Sequence, residues 1–501
     1  MHTANYKRFP DLPSRTGHKK QKKRRAALSP SQIQPTELIV ADRPAADVAP
    51  PSGVPEQLLG TDRASLLRKL LPWAHKGGLT ILDQGLISGS NFLISVLLAR
   101  WLTAEQYGAY AIAFGFFVLL QLVYQSLVLE PMSVFGGSTY RNNLRGYFAS
   151  LLWIHVILSL AIFLVFGATA GVSRLLGQTA GMPGALAGVT IASPCVLFFW
   201  MARRSFYLEL SPNQAVVGAF VYSSFVLSAL WIFYQHRLLS AFTAFVLIAI
   251  GSLGTGSFLM LRLRLTLRPE GPRPPTRTVW RQHWRYGAWA LMGCFASWVP
   301  ANMFYPILGS FGTMAQSGQL KALMNLTLPL EQTKAALSML LLPYAAGVQD
   351  ARDAAKARTL SLRMTLLGVG IAIAYWALII PFDRPLFHLL YSGRYMEVAH
   401  HIPLVAVGSI FWSAAYGPAL ALRGMKSPAL VFAAYIFAAM ASLAIGVPAT
   451  WAFGLTGGIW GNNIADIASF AAVSFLLYRK LKGNPRRASE SKLDAAFSQE
   501  S

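Results

Sequence analysis

Beyond about residue 63 the chain alternates between long apolar runs and short polar punctuation. Between Gly78 and Tyr478 apolar runs of roughly 20 residues recur, the length an α-helix needs to cross a bilayer. They predict spans one to twelve at 78–99, 107–129, 147–171, 183–202, 213–234, 239–261, 286–307, 320–346, 361–381, 400–422, 428–449 and 454–478. No connection between them exceeds about 25 residues, which leaves no room for an extramembrane domain. The runs do not alternate with period two, so a transmembrane β-barrel is excluded. Residues 1–63 carry no helical or strand period. They hold the run HKKQKKRR (His18 to Arg25) and a Pro/Ala-rich stretch, and predict a disordered basic tail. No apolar core follows those charges, so the run is not read as a signal peptide. Its simplest role is to keep the N-terminus cytoplasmic, and attraction to anionic inner-leaflet lipid is the second reading. At 64–77, Leu66, Leu67, Leu70, Leu71 and Trp73 interleave with Arg68, Lys69 and Lys76, the pattern of a short interfacial amphipathic helix.

Composition agrees with a membrane body. Of 501 residues, 54% are hydrophobic and 13% charged, against about 25% charged in soluble domains. The 44 Lys+Arg outnumber the 20 Asp+Glu and give a net charge of +24. Such an excess suits nucleic acid only when it gathers on one folded surface. Here it lies in the tail and the short loops, so nucleic acid is excluded and the charge reports orientation instead. With the tail inside, the inner segments carry Arg141 and Arg145, Arg203 and Arg204, seven arginines between Arg262 and Arg285, Arg352 to Arg363, Arg423 and Lys426, and a basic C-terminal tail at 479–501. The outer loops offer Arg100, Arg174, Arg237, Arg384 and Arg394, so the ratio is about 23 to 5. Both termini are expected in the cytoplasm.

The seven-arginine connector, 262–285, divides the body into 78–261 and 286–478. A weak internal echo falls on the same division. Ser90-Asn91-Phe92 matches Ala301-Asn302-Met303, Thr103 through Gly108 matches Thr313 through Gly318, and Glu130-Pro131 matches Leu342-Pro343, at offsets of about 210 to 212. Parallel six-span repeats around a central site are a transporter architecture. The expected fold is thus an all-α polytopic membrane protein, with about twelve transmembrane helices in two six-helix bundles around a central cavity.

Polar groups inside a bilayer are costly and usually face a bundle interior or a cavity. Span one carries Gln84, Ser88, Asn91 and Ser95 on one face, flanked by Asp83, with Gly85 and Gly89 placed for close approach of another helix. Span seven carries Trp298, Asn302 and Tyr305. Span eight carries Lys321 and Asn325, then Thr327, Glu331, Lys334 and Ser338, with Pro329 as a kink point. Span twelve carries Asn462, Asp466 and Ser469. These stripes either line a hydrophilic cavity or bond helices together, with Glu331 and Lys334 then an i,i+3 ion pair. The candidate substrate pathway is Gln84, Asn91, Asn302, Lys321, Asn325 and Lys334, and the candidate ion-coupling acids are Asp83, Glu331 and Asp466. Cys195 and Cys294 lie in apolar runs and read as small buried hydrophobes. His400 and His401, at an outer helix end, read as solvated rather than metal-binding. No metal site, cofactor site, nucleotide-binding loop or catalytic constellation is recognisable, so no enzymatic activity is expected.

The run LDQGLISGSNFLISVLLARWLTAEQYGAYAIAFGF (Leu82 to Phe116) resembles the first hairpin of polysaccharide-type flippases of the multidrug/oligosaccharidyl-lipid/polysaccharide exporter superfamily. Asp83-Gln84, Ser88 to Phe92, Ala99-Arg100 and the Glu105…Tyr107-Gly108 turn carry the likeness, with the Pro329 region, Leu342-Pro343 and GLTGGIWGNNIA (Gly454 to Ala465). The resemblance covers about 78–480. It implies transfer of an undecaprenyl-pyrophosphate-linked oligosaccharide from the inner to the outer leaflet of a bacterial plasma membrane. Two rocking bundles would open a central cavity alternately to each side. It also implies service to exopolysaccharide, capsule or O-antigen synthesis, beside a polysaccharide polymerase and export machinery. Two alternatives stand beside it: a multidrug or small-solute cation-coupled antiporter of the same superfamily, and a membrane-embedded glycan polymerase or ligase.

Overall fold

The computed structural model describes residues 63–177, 181–209, 211–263, 272–334, 354–425 and 427–482, with side chains from Gly77 onward. The chain divides into two compact units, Met1–Leu67 and Arg68–Ser501. Of the first, the described residues are the helical turn 63–67; the second holds every predicted span. The described residues are helical with no strands, as the apolar periodicity requires. Helices α1 (Arg63–Trp101), α2 (Ala104–Tyr124), α3 (Glu130–Gly137), α4 (Leu144–Leu175), α5 (Met182–Leu208), α6 (Pro212–Gln235) and α7 (Ala241–Arg262) carry spans one to six. Spans seven to twelve fall on α8 (Thr276–Asn302), α9 (Phe304–Phe311), α10 (Met314–Met324), α11 (328–334), α12 (Ala354–Ile379), α13 (Asp383–Tyr391), α14 (Ile402–Gly424) and α15 (Pro428–Lys482). At about 1.5 Å per residue, most of these helices exceed the roughly 30 Å apolar thickness of a bilayer. Their outer faces, such as Phe163, Leu164 and Val165 of α4, are apolar and exposed, a surface that suits lipid rather than water.

Several helices depart from simple rods for reasons written in the sequence. The interfacial segment 64–77 and span one form one continuous helix. Pro131 has no N–H, so the Leu127 carbonyl four residues earlier loses its helical donor. The chain widens there into a π-helical turn, Gln125–Leu129, in which the Glu130 N–H reaches Gln125 O. The buried imidazole of His283 donates through Nδ1 to the freed Leu127 carbonyl at 3.0 Å, and its Nε2 bonds the Tyr147 hydroxyl at 2.7 Å. Pro329 does the same to Asn325, and α10 gives way to a 3-10 turn at Asn325–Thr327, where a kink is expected. Spans eleven and twelve lie on the two arms of α15, which kinks at Gly454, whose φ of 55° and ψ of −127° lie outside helical space. Span seven begins ten residues before its predicted start, because Pro272, Pro274 and Pro275 end the extended connector and α8 opens at Thr276. Arg277, Arg281 and Arg285 therefore ride on a helix rather than in a loop. It bends by 44° between α8 and α9.

Packing follows the internal echo. In the first half α5 packs against α7, α4 and α2; in the second, α14 packs against α12 and α15. The halves meet chiefly where α2 lies on α10 and α8. Thr103 caps α2 by accepting from Gln106 N, and Thr313 caps α10 by accepting from Gln316 N. Where the two helices cross, a Cβ on Gly108 would collide with Met314 O, and one on Gly318 would approach Ala104 O to 2.7 Å. Residues 104 and 314, like 108 and 318, are 210 apart, so the echo corresponds to a reciprocal contact.

Candidate functional site

A cavity of about 610 Å³ lies where α2 meets the second half. From the first half it takes Phe114, Val118 and Leu122 of α2; its other lining residues belong to α8, α9, the α10–α11 segment, α14 and α15. Polar lining comes from Asn302, Tyr305, Lys321, Thr327, Glu331, Ser409, Asn462, Asn463, Asp466 and Ser469. Aromatic rings hold the cations. The Lys321 ammonium lies 4.9 Å from the Phe114 ring centre and 5.9 Å from that of Tyr305, and the Lys334 ammonium lies over Trp412. Glu331 accepts from the Thr327 hydroxyl at 3.0 Å. Gly408 makes room for the acid of span twelve: a Cβ there would stand 2.3 Å from Asn463 Oδ1 and 3.0 Å from Asp466 Oδ2.

At the end that carries 102–103 and 383–401, the two halves are joined by a buried polar seam. Asn325 is fully buried. Its Oδ1 accepts from Ser95 Oγ at 2.9 Å, and its Nδ2 donates to the Tyr107 hydroxyl at 3.0 Å. Within the second half the Tyr391 hydroxyl donates to Ala322 O at 2.9 Å, and across the seam the Arg394 guanidinium donates to Leu102 O. Span one meets span eight at a second point, where Ser88 Oγ donates to Gln332 Oε1 at 3.1 Å.

A third polar group closes on itself within the first half. Asp83, buried on α1, accepts from Arg203 Nη2 at 2.5 Å and from the Tyr207 hydroxyl, both on α5. Beside it Arg204 Nε donates to Ser133 Oγ at 2.7 Å.

The candidate residues therefore separate. Asn302, Lys321, Glu331 and Asp466 line the cavity, and Lys334 reaches its Trp412 wall. Asn325 belongs to the seam, Asp83 to the ion pair, and Gln84 and Asn91 to an exposed face of α1. Gly85 and Gly89 face open space rather than a neighbouring helix. Of the span-seven stripe, Trp298 turns its Nε1–H to Gly115 O at 2.6 Å. Ser338 lies outside the described residues. Cys294 is half-buried against Ser126, and Cys195 is half-buried as a free thiol. His401 is not simply solvated: its Nε2 meets Thr456 Oγ1 at 2.9 Å. Among the described residues no three His, Cys, Asp or Glu side chains gather as metal ligands. Sequence reasoning missed Phe114, Ser409, Trp412, Tyr435 and Asn463. The aromatic ones read as ordinary apolar core, and Asn463 stood one position off the selected stripe.

The fold resembles those of solved MOP superfamily transporters. The fold is similar to an inward-facing multidrug resistance MATE family transporter, with TM-score 0.67 and 14% identity over 81% of this chain and 99% of that one. It is similar to the lipid II flippase MurJ in an inward closed conformation, with TM-score 0.62 and 14% identity over 80% and 89%. A third likeness is to a MOP superfamily transporter from Pyrococcus furiosus whose binding pocket is described as having reverse polarity, with TM-score 0.56 and 12% identity over 80% and 94%. No family model and no curated protein matches the chain.

Proposed function

We propose that the protein is a flippase that moves an undecaprenyl-pyrophosphate-linked oligosaccharide from the inner to the outer leaflet of a bacterial plasma membrane, by alternating access. The observation that carries this reading is the cavity beside α2, where two lysines and two acids sit among aromatic rings. In a low-dielectric setting, Lys321 and Lys334 attract the pyrophosphate strongly. Asn302, Ser409 and Asn462 offer hydrogen bonds to sugars, and Gln84 and Asn91 line the approach along α1. Glu331 and Asp466 are placed to take up a coupling ion. The seam around Asn325 closes the outer side and must part for release. The protein acts as a carrier rather than an enzyme. It serves exopolysaccharide, capsule or O-antigen synthesis beside a polysaccharide polymerase and export machinery.

Both termini are cytoplasmic in this reading. Membrane-impermeant labelling from outside then marks Gly177→Cys and spares Thr276→Cys; the opposite pattern inverts the orientation. One observation favours a second reading. Glu331 and Asp466 match the two lysines in number, so the cavity has no formal excess of positive charge, which suits a cation-coupled antiporter for small solutes. Purified protein in vesicles separates the two. The flippase translocates a fluorescent lipid-linked oligosaccharide, whereas the antiporter exchanges a cationic dye for protons or sodium.

A further inference from the structure

On the flank of α8 away from the central cavity, a second cavity of about 680 Å³ is lined by Arg277, Thr278, Trp280, Arg281 and Trp284. The two indoles tilt against each other with ring centres 5.9 Å apart. Both guanidiniums are exposed, and no acidic side chain among the described residues lies within ion-pairing distance of either. The same flank continues along the helix through Met292 and Phe295, each about half exposed. Trp289, 80% exposed, stands beside it. The opposite flank is buried at Val279 and His283.

We infer that this cluster binds the phosphate of an anionic phospholipid in the cytoplasmic leaflet. Two exposed guanidiniums one helical turn apart present fork-shaped donors to a phosphate. Indoles beside them settle at the headgroup level, with their N–H groups wet and their rings in lipid. The position excludes the cargo as occupant. At about 100° per residue, Arg277, Trp280, Arg281 and Trp284 point roughly 180° away from Ala296, Ser297, Pro300 and Ala301, which line the central cavity. A lipid held here pins the inner arm of span seven, which His283 already ties to Leu127 and Tyr147. The inference rests on the orientation proposed above, which labelling of Thr276→Cys tests separately.

Binding is measured on the purified full-length chain by native mass spectrometry, with phosphatidylglycerol and phosphatidylcholine as probes and inorganic pyrophosphate as competitor. Wild-type protein should retain phosphatidylglycerol over phosphatidylcholine. Each of Arg277→Gln and Arg281→Gln should weaken that retention by about fivefold, the worth of one interfacial basic residue. Arg141→Gln with Arg145→Gln should leave it within about twofold. Trp280→Leu with Trp284→Leu should also weaken it, because the acyl-proximal part of the lipid loses its wall. The lipid should outcompete pyrophosphate; equal competition assigns the cluster to a soluble anion and overturns the proposal, as does wild-type retention in both arginine variants. Charge reversal at Lys321 or Lys334 should leave this binding unchanged, so the flippase reading can fail without it.

Discussion

Asp83 in span one and Asp466 in span twelve are both acids inside predicted membrane spans, yet they are accommodated in different ways. Asp83 is buried against Arg203 and Tyr207 and lines neither of the two cavities described above. Asp466 lines a cavity, in space that Gly408 leaves empty. A membrane tolerates a buried charge either through a close partner or through access to a polar space. The first solution holds helices together; the second leaves the charge available to a substrate. Candidates drawn from polar stripes alone therefore mix structural and functional positions.

The largest effect should come from breaking the first arrangement. Arg203→Gln leaves Asp83 buried without its cation and should cost about 3–5 kcal/mol of stability. The double variant Asp83→Asn with Arg203→Gln should recover much of that, because contacting residues couple. Thermal unfolding in detergent reads both, and a loss below about 1 kcal/mol in the single variant would assign the pair no structural role. Next, Asn325→Leu strips partners from Ser95 and Tyr107 and should cost about 1–3 kcal/mol. Cysteines placed along the seam should also become more accessible from outside, and unchanged labelling would remove the seam from the gating account. The smallest stability change belongs to the cavity. Asp466→Asn should stay within about 1 kcal/mol of wild type while weakening the response of transport to an ion gradient. A large destabilisation with normal coupling would give Asp466 the structural role held by Asp83.

Much of the fold was legible because a bilayer imposes one length on every apolar run: among the described residues nine helices are long and apolar enough to cross a membrane, ten with the bent α8–α9 pair, and α15 alone takes in predicted spans eleven and twelve, while span eight is described only as far as residue 334. The echo between Thr103 and Thr313 foretold matching helix caps. The start of span seven was hidden because Arg277, Arg281 and Arg285 read as loop charge, although a Pro-rich connector followed by Thr276 marks a helix start. In the site, the stripe of span twelve was visible, since Asn462, Asp466 and Ser469 all line the cavity. Arg203, the partner of Asp83, lies 120 residues away on another helix. Only packing brings such residues together, and periodicity within one segment says nothing of it. Trp412, which faces Lys334, was hidden for the same reason.

The cavity lysines carry the proposed transport route. Lipid-linked oligosaccharide translocation should be measured in vesicles reconstituted with wild-type, Lys321→Glu and Lys334→Glu proteins, at matched and verified insertion. Both reversals should abolish translocation, because an added acid in a low-dielectric cavity repels the pyrophosphate, and Lys334→Gln, which keeps a donor, should be milder. Wild-type translocation by both reversed proteins would take this cavity out of the transport route.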